Sequence, residues 1–185
     1  MSENNKLSKA TIGGGCFWCL EAIFQQINGV ESVTSGYSGD IEENANYKKV
    51  CSGSTKHAEV IQIKFDKNII SYKEILELFW SNHDPTTPNR QGNDIGPQYR
   101  SIIFYHDNEQ RKIANELILK LNKQQIFESP IVTELTKLET FYPAEEYHQN
   151  YFNLNVNSNP YCTYVILPKI NKLKELFSEK LKQER

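Results

Sequence analysis

The chain has 185 residues, and its 21 Lys and Arg against 23 Asp and Glu leave a formal net charge of −2. This balance excludes a general nucleic-acid binder, which carries a basic excess. The sequence has no apolar run near the roughly 20 residues of a membrane span, and its polar start lacks a signal core. We therefore expect a monomeric cytoplasmic protein that makes no membrane contact. Its length fits one catalytic domain over residues 1–185, with 1–8 as a flexible N-terminus and 153–185 as a C-terminal segment and helix.

The hydrophobic pattern predicts short strands and helices in alternation, with the helices packed on a mixed sheet in an α+β fold. In the first helix, four apolar residues from Phe17 to Ile27 recur at helical spacing, and Gly29 then ends the pattern. In chain order we predict a strand at 9–12, a helix at 17–27, a strand at 30–37, a polar loop at 38–55, a strand at 57–65, a helix at 72–80, an irregular stretch at 83–98, a strand at 101–105, a helix at 108–121, a strand at 131–135, a short helix at 144–151, an irregular segment at 153–159 and a helix at 169–181.

The most informative segment is a glycine-rich turn between the first strand and the first helix, Gly13-Gly14-Gly15-Cys16-Phe17-Trp18-Cys19. Three glycines let the chain turn sharply and leave the approach to Cys16 open. Cys16 then lies at the helix N-terminus, where the helix dipole favours a thiolate, so we expect its pKa to be lowered. The alternative is a small buried cysteine in an ordinary turn.

Trp18 and Cys19 add to this turn. Trp18 falls outside the apolar stripe of the helix, so we interpret it as the wall of a pocket, with packing against another element as the alternative. Cys16 and Cys19 form a CxxC at a helix start, which is the spacing of a thioredoxin-like redox centre. Cys51 and Cys162 form no second close pair, so the paired spacing of a zinc site is missing and we predict no metal.

Glu59 shares a predicted strand face with three apolar side chains. A carboxyl in that position loses hydration, which raises its pKa and makes Glu59 a candidate proton donor, unless it lies in water at a frayed strand end. The predicted loops hold Tyr47, Asp94 and Tyr99, and tyrosine hydroxyls donate to developing oxyanions. No phosphate-binding glycine loop occurs, so no nucleotide cofactor is predicted. We interpret four histidines as structural, namely His57, His83, His106 and His148.

Four motifs follow one another along most of the chain. They are Gly15-Cys16-Phe17-Trp18, then Tyr47 with Val50-Cys51-Ser52-Gly53 and His57-Ala58-Glu59-Val60, then His83-Asp84-Pro85-Thr86 with Asn89-Arg90-Gln91-Gly92-Asn93-Asp94 and Gln98-Tyr99-Arg100-Ser101, and finally Ala144-Glu145 with Tyr147-His148-Gln149. Together they resemble the A-type peptide methionine sulfoxide reductases, which act on the S epimer of the sulfoxide. The resemblance implies a ferredoxin-like α/β plait with irregular extensions and no cofactor.

The resemblance also implies residue roles. Cys16 would be the nucleophile on the sulfoxide sulfur, and Glu59 would protonate the sulfoxide oxygen, which is a poor leaving group otherwise. Two tyrosines would hydrogen-bond that oxygen, an aspartate would bind the substrate backbone or a water, and two aromatic residues would enclose the substrate methyl group. By position, the implied catalytic residues are Cys16, Tyr47, Glu59, Asp94 and Tyr99, and the implied substrate-binding residues are Phe17 and Trp18.

Recycling requires a second thiol, because the attack leaves Cys16 as a sulfenic acid that condenses with a thiol to a disulfide. The resemblance implies thioredoxin as the reductant. The resolving thiol stays open between Cys162, which follows Tyr161 in a segment similar to the family's C-terminal Gly-Tyr-Cys, and Cys19, where many members have a small residue. We interpret Cys51 as structural. Two other functions remain as alternatives, a thioredoxin-like thiol–disulfide oxidoreductase that uses Cys16 and Cys19, and a binding module for oxidised proteins without turnover.

Overall fold

The structure is a computed structural model that describes residues 6–183. Residues 1–5 of the expected flexible N-terminus and residues 184–185 of the C-terminal segment lie outside the described part. The first strand begins at Leu7, two residues earlier than predicted, and Leu7 and Ser8 pair with Asp66 and Phe65. Within residues 6–183, no helix combines the length and the hydropathy needed to cross a membrane.

Helices and strands alternate along the chain as the hydrophobic pattern predicted. In chain order they are β1 (Leu7–Gly13), α1 (Phe17–Phe24), β2 (Val30–Ser38), α2 (Tyr47–Cys51), β3 (Ala58–Asp66), α3 (Tyr72–Ser81), β4 (Arg90–Gln91), β5 (Asp94–Ile95), β6 (Ile102–Tyr105), α4 (Asn108–Lys123), β7 (Glu134–Lys137), β8 (Tyr142–Pro143), α5 (Tyr151–Asn155) and α6 (Leu167–Leu176).

The main sheet has the strand order β7-β6-β1-β3-β2-β8. Its four central strands are antiparallel neighbours, and the order β1-α1-β2-β3-α3-β6 makes them a split β-α-β plait, the ferredoxin-like fold. β7 pairs in parallel with β6, so the sheet is mixed, and β8 extends the other edge. The α+β fold class and the plait with extensions are confirmed.

Strand β3 separates the two sides of the sheet. Its residues Glu59, Ile61, Ile63 and Phe65 are at most 1% exposed and face the main core under α1 and α3, as the alternation predicted. Its other face contributes to a smaller apolar cluster made of Ala58, Val60, Ile102 and Phe104. One carboxyl, that of Glu59, therefore points into the main core at the start of the strand.

Several predicted boundaries are wrong. α1 ends at Phe24 instead of residue 27, because the chain turns and Ile27 forms an isolated bridge to Leu181. The predicted loop 38–55 contains α2, which Asn46 caps by accepting a hydrogen bond from the backbone N–H of Lys49 at 3.0 Å. The predicted irregular stretch 83–98 contains β4, β5 and a 3₁₀ turn at Pro97–Tyr99. These elements are too short to show a hydrophobic period.

The C-terminal third departs further from the prediction. The strand expected at 131–135 lies at Glu134–Lys137, where its pairing with β6 sets its position. The short helix expected at 144–151 divides into a 3₁₀ turn at Glu146–His148 and α5, which also covers part of the segment predicted as irregular. The last helix begins at Leu167 and ends at Leu176, and a π-helical turn at Cys162–Ile166 precedes it.

Candidate active site

The glycine-rich turn places Cys16 at the N-cap of α1. Gly15 has φ +83, in the left-handed region, and a Cβ there would lie 2.7 Å from the side chain of Gln91, so the turn requires glycine. The backbone N–H of Gly15 donates to the carbonyl of Tyr99 at 3.0 Å, which joins the turn to the Pro97–Tyr99 segment. Cys16 itself is extended, with φ −63 and ψ 129, and is 9% exposed.

The predicted low pKa of Cys16 is wrong for the free protein. Burial raises the pKa of the Cys16 thiol well above its ordinary value, and the hydrogen bond to Cys19 and the charge of Glu59 raise it further. The backbone N–H of Trp18 in the first helical turn lowers the pKa, as the helix N-terminus should, but this effect is smaller than the loss of hydration.

Glu59 behaves as the sequence predicted. It is 1% exposed, and its Oε2 accepts a hydrogen bond from the backbone N–H of Phe17 at 3.0 Å. Burial raises its pKa to about 8, although the Phe17 N–H opposes this, and Asp94 and Cys19 add smaller repulsions. The carboxyl next to the Cys16 turn is therefore mostly protonated at neutral pH, and a protonated carboxyl can donate its hydrogen.

Tyr47, Tyr99 and Cys51 surround this carboxyl, and we call these three residues and Glu59 the neutral cluster. The Cys51 thiol points to Oε1 of Glu59 at 4.0 Å, and burial raises the pKa of this thiol while the hydroxyls of Tyr47 and Tyr99 lower it. Burial raises the pKa values of both tyrosines, so both keep their hydroxyl hydrogens. Cys51, which we interpreted as structural, thus lies within the cluster that faces Cys16.

Glu145 anchors Tyr47, and the sequence reasoning did not select it, although it belongs to the fourth motif. Its Oε2 accepts from the backbone N–H of Tyr47 at 3.1 Å, at the positive end of α2, and its Oε1 accepts from the hydroxyl of Tyr37 at 3.0 Å. The ring of Tyr47 lies against His148, with 4.3 Å between the ring centroids. Residues of the fourth motif therefore fix both the backbone and the ring of Tyr47, which belongs to the second motif.

Four rings pack together beside Cys16, and we call them the aromatic wall: Phe17, Trp18, His148 and Tyr151. Trp18 is half-buried and stacks on Tyr151 with 3.8 Å between centroids and 5° between planes, and its Nε1–H donates to Nδ1 of His148 at 3.0 Å. Phe17 is fully buried, with its ring 5.1 Å from that of His148. His148, which we interpreted as structural, and Tyr151 were not predicted as neighbours of the site, because they approach α1 only in the folded structure.

Cys19 lies one helical turn after Cys16, among charged groups. Its Sγ is 3.6 Å from Oη of Tyr161, and that hydroxyl donates to Oδ2 of Asp94 at 3.0 Å. The hydrogen bond from Cys16, the charge of Lys169 and the Tyr161 hydroxyl together lower the pKa of Cys19 to about 7, against the effect of burial. We call Cys19, Asp94, Tyr161 and Lys169 the charged cluster.

Cys162 follows Tyr161 and begins the π-helical turn. It is fully buried, its backbone N–H donates to the carbonyl of Asn159, and burial raises the pKa of its thiol. The thiol of Cys19 contributes to that increase, so the two candidate resolving thiols are neighbours. The side-chain partner of the Cys16 thiol, however, is Cys19.

The arrangement thus places the Cys16 thiol near a carboxyl that is mostly protonated at neutral pH and near a second thiol of lowered pKa. The sequence profile of the family described as "Peptide methionine sulfoxide reductase" matches residues 8–181. The chain is 58% identical to "Peptide methionine sulfoxide reductase MsrA" of Leptospira borgpetersenii serovar Hardjo-bovis, over 90% of this chain and 93% of that relative.

Solved structures agree with this match. The reduced form of Mxr1 from Saccharomyces cerevisiae superposes with a TM-score of 0.75 at 33% identity, over 86% of this chain and 91% of that one. The complex of Mxr1 with Trx2 superposes with a TM-score of 0.53 at 25% identity, over 82% of this chain and 88% of that one. The fold is shared and the matches cover most of the chain, so the chain belongs to the peptide methionine sulfoxide reductase family.

Proposed function

We propose that this chain reduces the S epimer of methionine sulfoxide, free or within a protein, with Cys16 as the nucleophile. The observation that carries the proposal is the buried, protonated Glu59 beside the Cys16 turn. The Cys16 sulfur attacks the sulfoxide sulfur, the oxygen passes to Cys16 as its bond to the substrate breaks, and the products are methionine and Cys16 sulfenic acid. The ionised form of Glu59 raises the pKa of Cys16, but at pH 7 most of Glu59 is protonated and adds no such repulsion.

The neutral cluster supplies hydrogen-bond donors for the sulfoxide oxygen. Glu59 donates the proton, while the hydroxyls of Tyr47 and Tyr99 stabilise negative charge on the oxygen as the bond to sulfur weakens. Donors that are already oriented in a buried site need no rearrangement during the reaction. Burial keeps all three groups protonated, which is the state in which they can donate.

The aromatic wall binds the rest of the methionine side chain. Trp18 and Phe17 enclose the methyl group, since a methyl on sulfur is apolar and polarisable and packs well against aromatic rings. The stack of Tyr151 on Trp18 fixes the orientation of the indole. Asp94 binds the substrate backbone or a water at the opposite rim.

We assign the resolving thiol to Cys19. Cys19 lies one helical turn from Cys16, with its backbone N–H donating to the Cys16 carbonyl at 3.1 Å, and a pKa of about 7 provides a substantial thiolate fraction at neutral pH. Cys162 is the alternative, and it would have to leave its buried position to reach Cys16. The resulting disulfide is then reduced by thioredoxin, in keeping with the complex of yeast Mxr1 with Trx2. Thioredoxin implies a reduced compartment, for which we propose the cytoplasm, and we propose one monomeric catalytic domain.

The function is tested with a peptide that carries methionine (S)-sulfoxide and a thioredoxin system. We expect turnover by the wild type, none on the R epimer, and none after Cys16→Ser. Full turnover by Cys16→Ser would refute the nucleophile. A thiol–disulfide oxidoreductase would instead depend on Cys19 and tolerate Glu59→Gln, and a binding module would keep its affinity after Cys16→Ser without producing methionine.

The resolving thiol is tested by mass spectrometry after one equivalent of substrate. We expect a disulfide between residues 16 and 19, and a single methionine per enzyme without further turnover in Cys19→Ser. Cys162→Ser is the matched control: it makes the same Cys-to-Ser change at the competing thiol and should keep the disulfide between residues 16 and 19. A disulfide between residues 16 and 162 in the wild type would refute Cys19.

A further inference from the structure

The Tyr161 hydroxyl lies between Asp94 and Cys19. Its Oη donates to Oδ2 of Asp94 at 3.0 Å and lies 3.6 Å from Sγ of Cys19. The half-buried ring meets Trp18 edge to face, with 6.1 Å between the centroids, so its position is fixed by the aromatic wall. None of the roles proposed above uses this residue, although it touches the thiol to which we assign the resolving step.

The contact between the Tyr161 hydroxyl and the Cys19 sulfur depends on the protonation of Cys19. A phenol hydroxyl has one hydrogen and a thiolate has none. While Cys19 is a thiol, its S–H can donate to Tyr161, and Tyr161 can donate to Asp94. Once Cys19 is a thiolate, a hydrogen bond between the two residues requires the Tyr161 hydrogen. That hydrogen must then leave Asp94, so the two arrangements exclude each other.

We propose that Tyr161 is a catalytic residue of the recycling step, whose hydroxyl hydrogen moves from Asp94 to the Cys19 thiolate and stabilises that thiolate for attack on Cys16. The proposal rests on the proposed function, because it takes Cys19 as the resolving thiol. In this step the Cys19 sulfur forms a bond to the Cys16 sulfur, and the S–O bond of the sulfenic acid breaks. The oxygen leaves as hydroxide and is neutralised to water by the proton that Cys19 released to solvent when it became a thiolate. The Cys16 sulfur is reduced as the Cys19 sulfur is oxidised.

The surroundings of Cys19 agree with this role. Burial raises the pKa of Tyr161, so its hydroxyl stays protonated and able to donate. The hydrogen bonds from Cys16 and Tyr161 and the charge of Lys169 lower the pKa of Cys19, whereas the charge of Asp94 raises it. The titratable and charged groups that face Cys19 come from α1, β3, β5, the C-terminal segment and α6, and they are Cys16, Glu59, Asp94, Tyr161, Cys162 and Lys169.

The first experiment titrates the Cys19 thiolate by its ultraviolet absorbance in a Cys16→Ser background. Serine keeps a hydroxyl donor at position 16 and prevents the disulfide. We expect Tyr161→Phe to move the first thiolate step to higher pH by about one unit, the effect of one lost hydrogen bond to a charged group. Cys19→Ala, by removing that step, assigns it. Tyr164→Phe, on a ring that is 79% exposed in the same segment, is the matched control and should change nothing.

The second experiment measures the rate of the disulfide between residues 16 and 19 in the protein with all its cysteines. Below its pKa, a thiol loses about tenfold in thiolate fraction for each unit of pKa increase and regains about threefold in nucleophilicity. We therefore expect Tyr161→Phe to slow disulfide formation about threefold at pH 6. Above the pKa values of both proteins the thiolate fractions are equal, so the difference should reverse and the variant should be about threefold faster. An unchanged titration and an unchanged rate in Tyr161→Phe overturn the proposal.

Asp94→Asn tests the exchange of the hydrogen. Asp94→Asn has two effects on the pKa of Cys19. Loss of the carboxylate charge lowers this pKa with or without Tyr161. Weaker binding of the Tyr161 hydroxyl hydrogen at position 94 lowers it only when Tyr161 is present. The exchange therefore predicts a smaller effect of Asp94→Asn in the Tyr161→Phe background, and equal effects refute it. Should Tyr161→Phe fail to fold, Tyr161→Leu takes its place in the same comparison, and equal effects of Asp94→Asn with and without Tyr161 refute the exchange.

The outcomes separate this proposal from the proposed function. A wild type that releases methionine but forms no disulfide between residues 16 and 19 overturns the role of Tyr161 and leaves the reductase function intact. A wild type that releases no methionine refutes the function itself. A folded Tyr161→Phe variant with slower disulfide formation and an undiminished first equivalent of methionine supports a role confined to recycling.

Discussion

The neutral cluster and the charged cluster flank the same sulfur with opposite electrostatics. In the neutral cluster, burial raises the pKa values of Glu59, Tyr47 and Tyr99, and each group keeps its hydrogen. In the charged cluster, hydrogen bonds and Lys169 lower the pKa of Cys19 although it too is buried. Burial alone therefore does not set protonation, because partners of the charged form can outweigh the lost hydration. One side is suited to donating protons and the other to holding a thiolate.

The two clusters also come from different parts of the chain. The plait itself supplies the neutral cluster, through β3, α2 and the turn before β6. The charged cluster depends on Tyr161 and Lys169, which lie in the C-terminal segment that wraps back over α1. If this division reflects two half-reactions, changes in the neutral cluster should slow methionine release, and changes in the charged cluster should slow recycling.

Glu59→Gln should have the largest effect. It removes the proton donor and keeps the size of the side chain, so we expect the first equivalent of methionine to form about 10²–10⁴-fold more slowly. In the wild type this rate should fall as the pH rises through about 8, since the carboxyl then loses its proton. Quenched-flow measurement of methionine from pH 6 to 9 checks both, with Glu116→Gln, an exposed acid on α4, as the control. A wild-type rate that is independent of pH, together with an active Gln variant, would break the assignment of the neutral cluster.

Glu59→Gln should also reduce the pH dependence of the free energy of unfolding. A pKa raised from 4.5 to about 8 means that the folded state binds this proton more tightly than the unfolded state does. The stability is therefore fully present below pH 4.5 and decreases as the pH rises to about 8, by on the order of 5 kcal/mol. Urea unfolding at pH 5 and pH 8 should show a smaller decrease for Glu59→Gln than for the wild type. Equal decreases would mean that Glu59 is hydrated.

Tyr151→Ala should have an intermediate effect, confined to the aromatic wall. It removes the stack on Trp18, which is worth about 0.5–1.5 kcal/mol beyond the buried area. We expect kcat/KM for a sulfoxide peptide to fall by about two- to tenfold, through weaker positioning of the substrate methyl group. Tyr164→Ala removes an exposed ring from the same region and should leave kcat/KM unchanged. Loss confined to the disulfide step would contradict this assignment.

Lys169→Met should have the smallest effect, because a partly exposed charge is screened by water and salt. Its charge lowers the pKa of Cys19, so we expect the Cys19 titration to move to higher pH and disulfide formation at pH 6 to slow by less than about threefold. High salt should reduce the difference. Lys174→Met, exposed on the same helix, is the control. If Lys169→Met instead slows formation of the first equivalent of methionine, the charged cluster is not confined to recycling.

Much of the fold was predictable because its elements are long enough to repeat a pattern. The alternation around Ile61 and Ile63 located β3 and placed Glu59 on its buried face, and this was correct. The five residues of α2 are too few for a helical period, and the position of β7 depends on its pairing with β6. The segment from α5 to the π-helical turn has a polar sequence that gives no periodic signal, although Tyr151 and Tyr161 both reach the site.

The glycine turn, the buried carboxyl and the family were predictable from the sequence alone, because they follow from local backbone requirements, from strand alternation and from motifs in order. Only the tertiary structure decided how the thiols differ. The helix N-terminus predicted a low pKa for Cys16, but packing buries that thiol and raises its pKa, while Cys19 has Tyr161 and Lys169 as partners from the other end of the chain. The physical reason is that hydration and charge act through space, so a thiol's protonation depends on which distant segments fold against it.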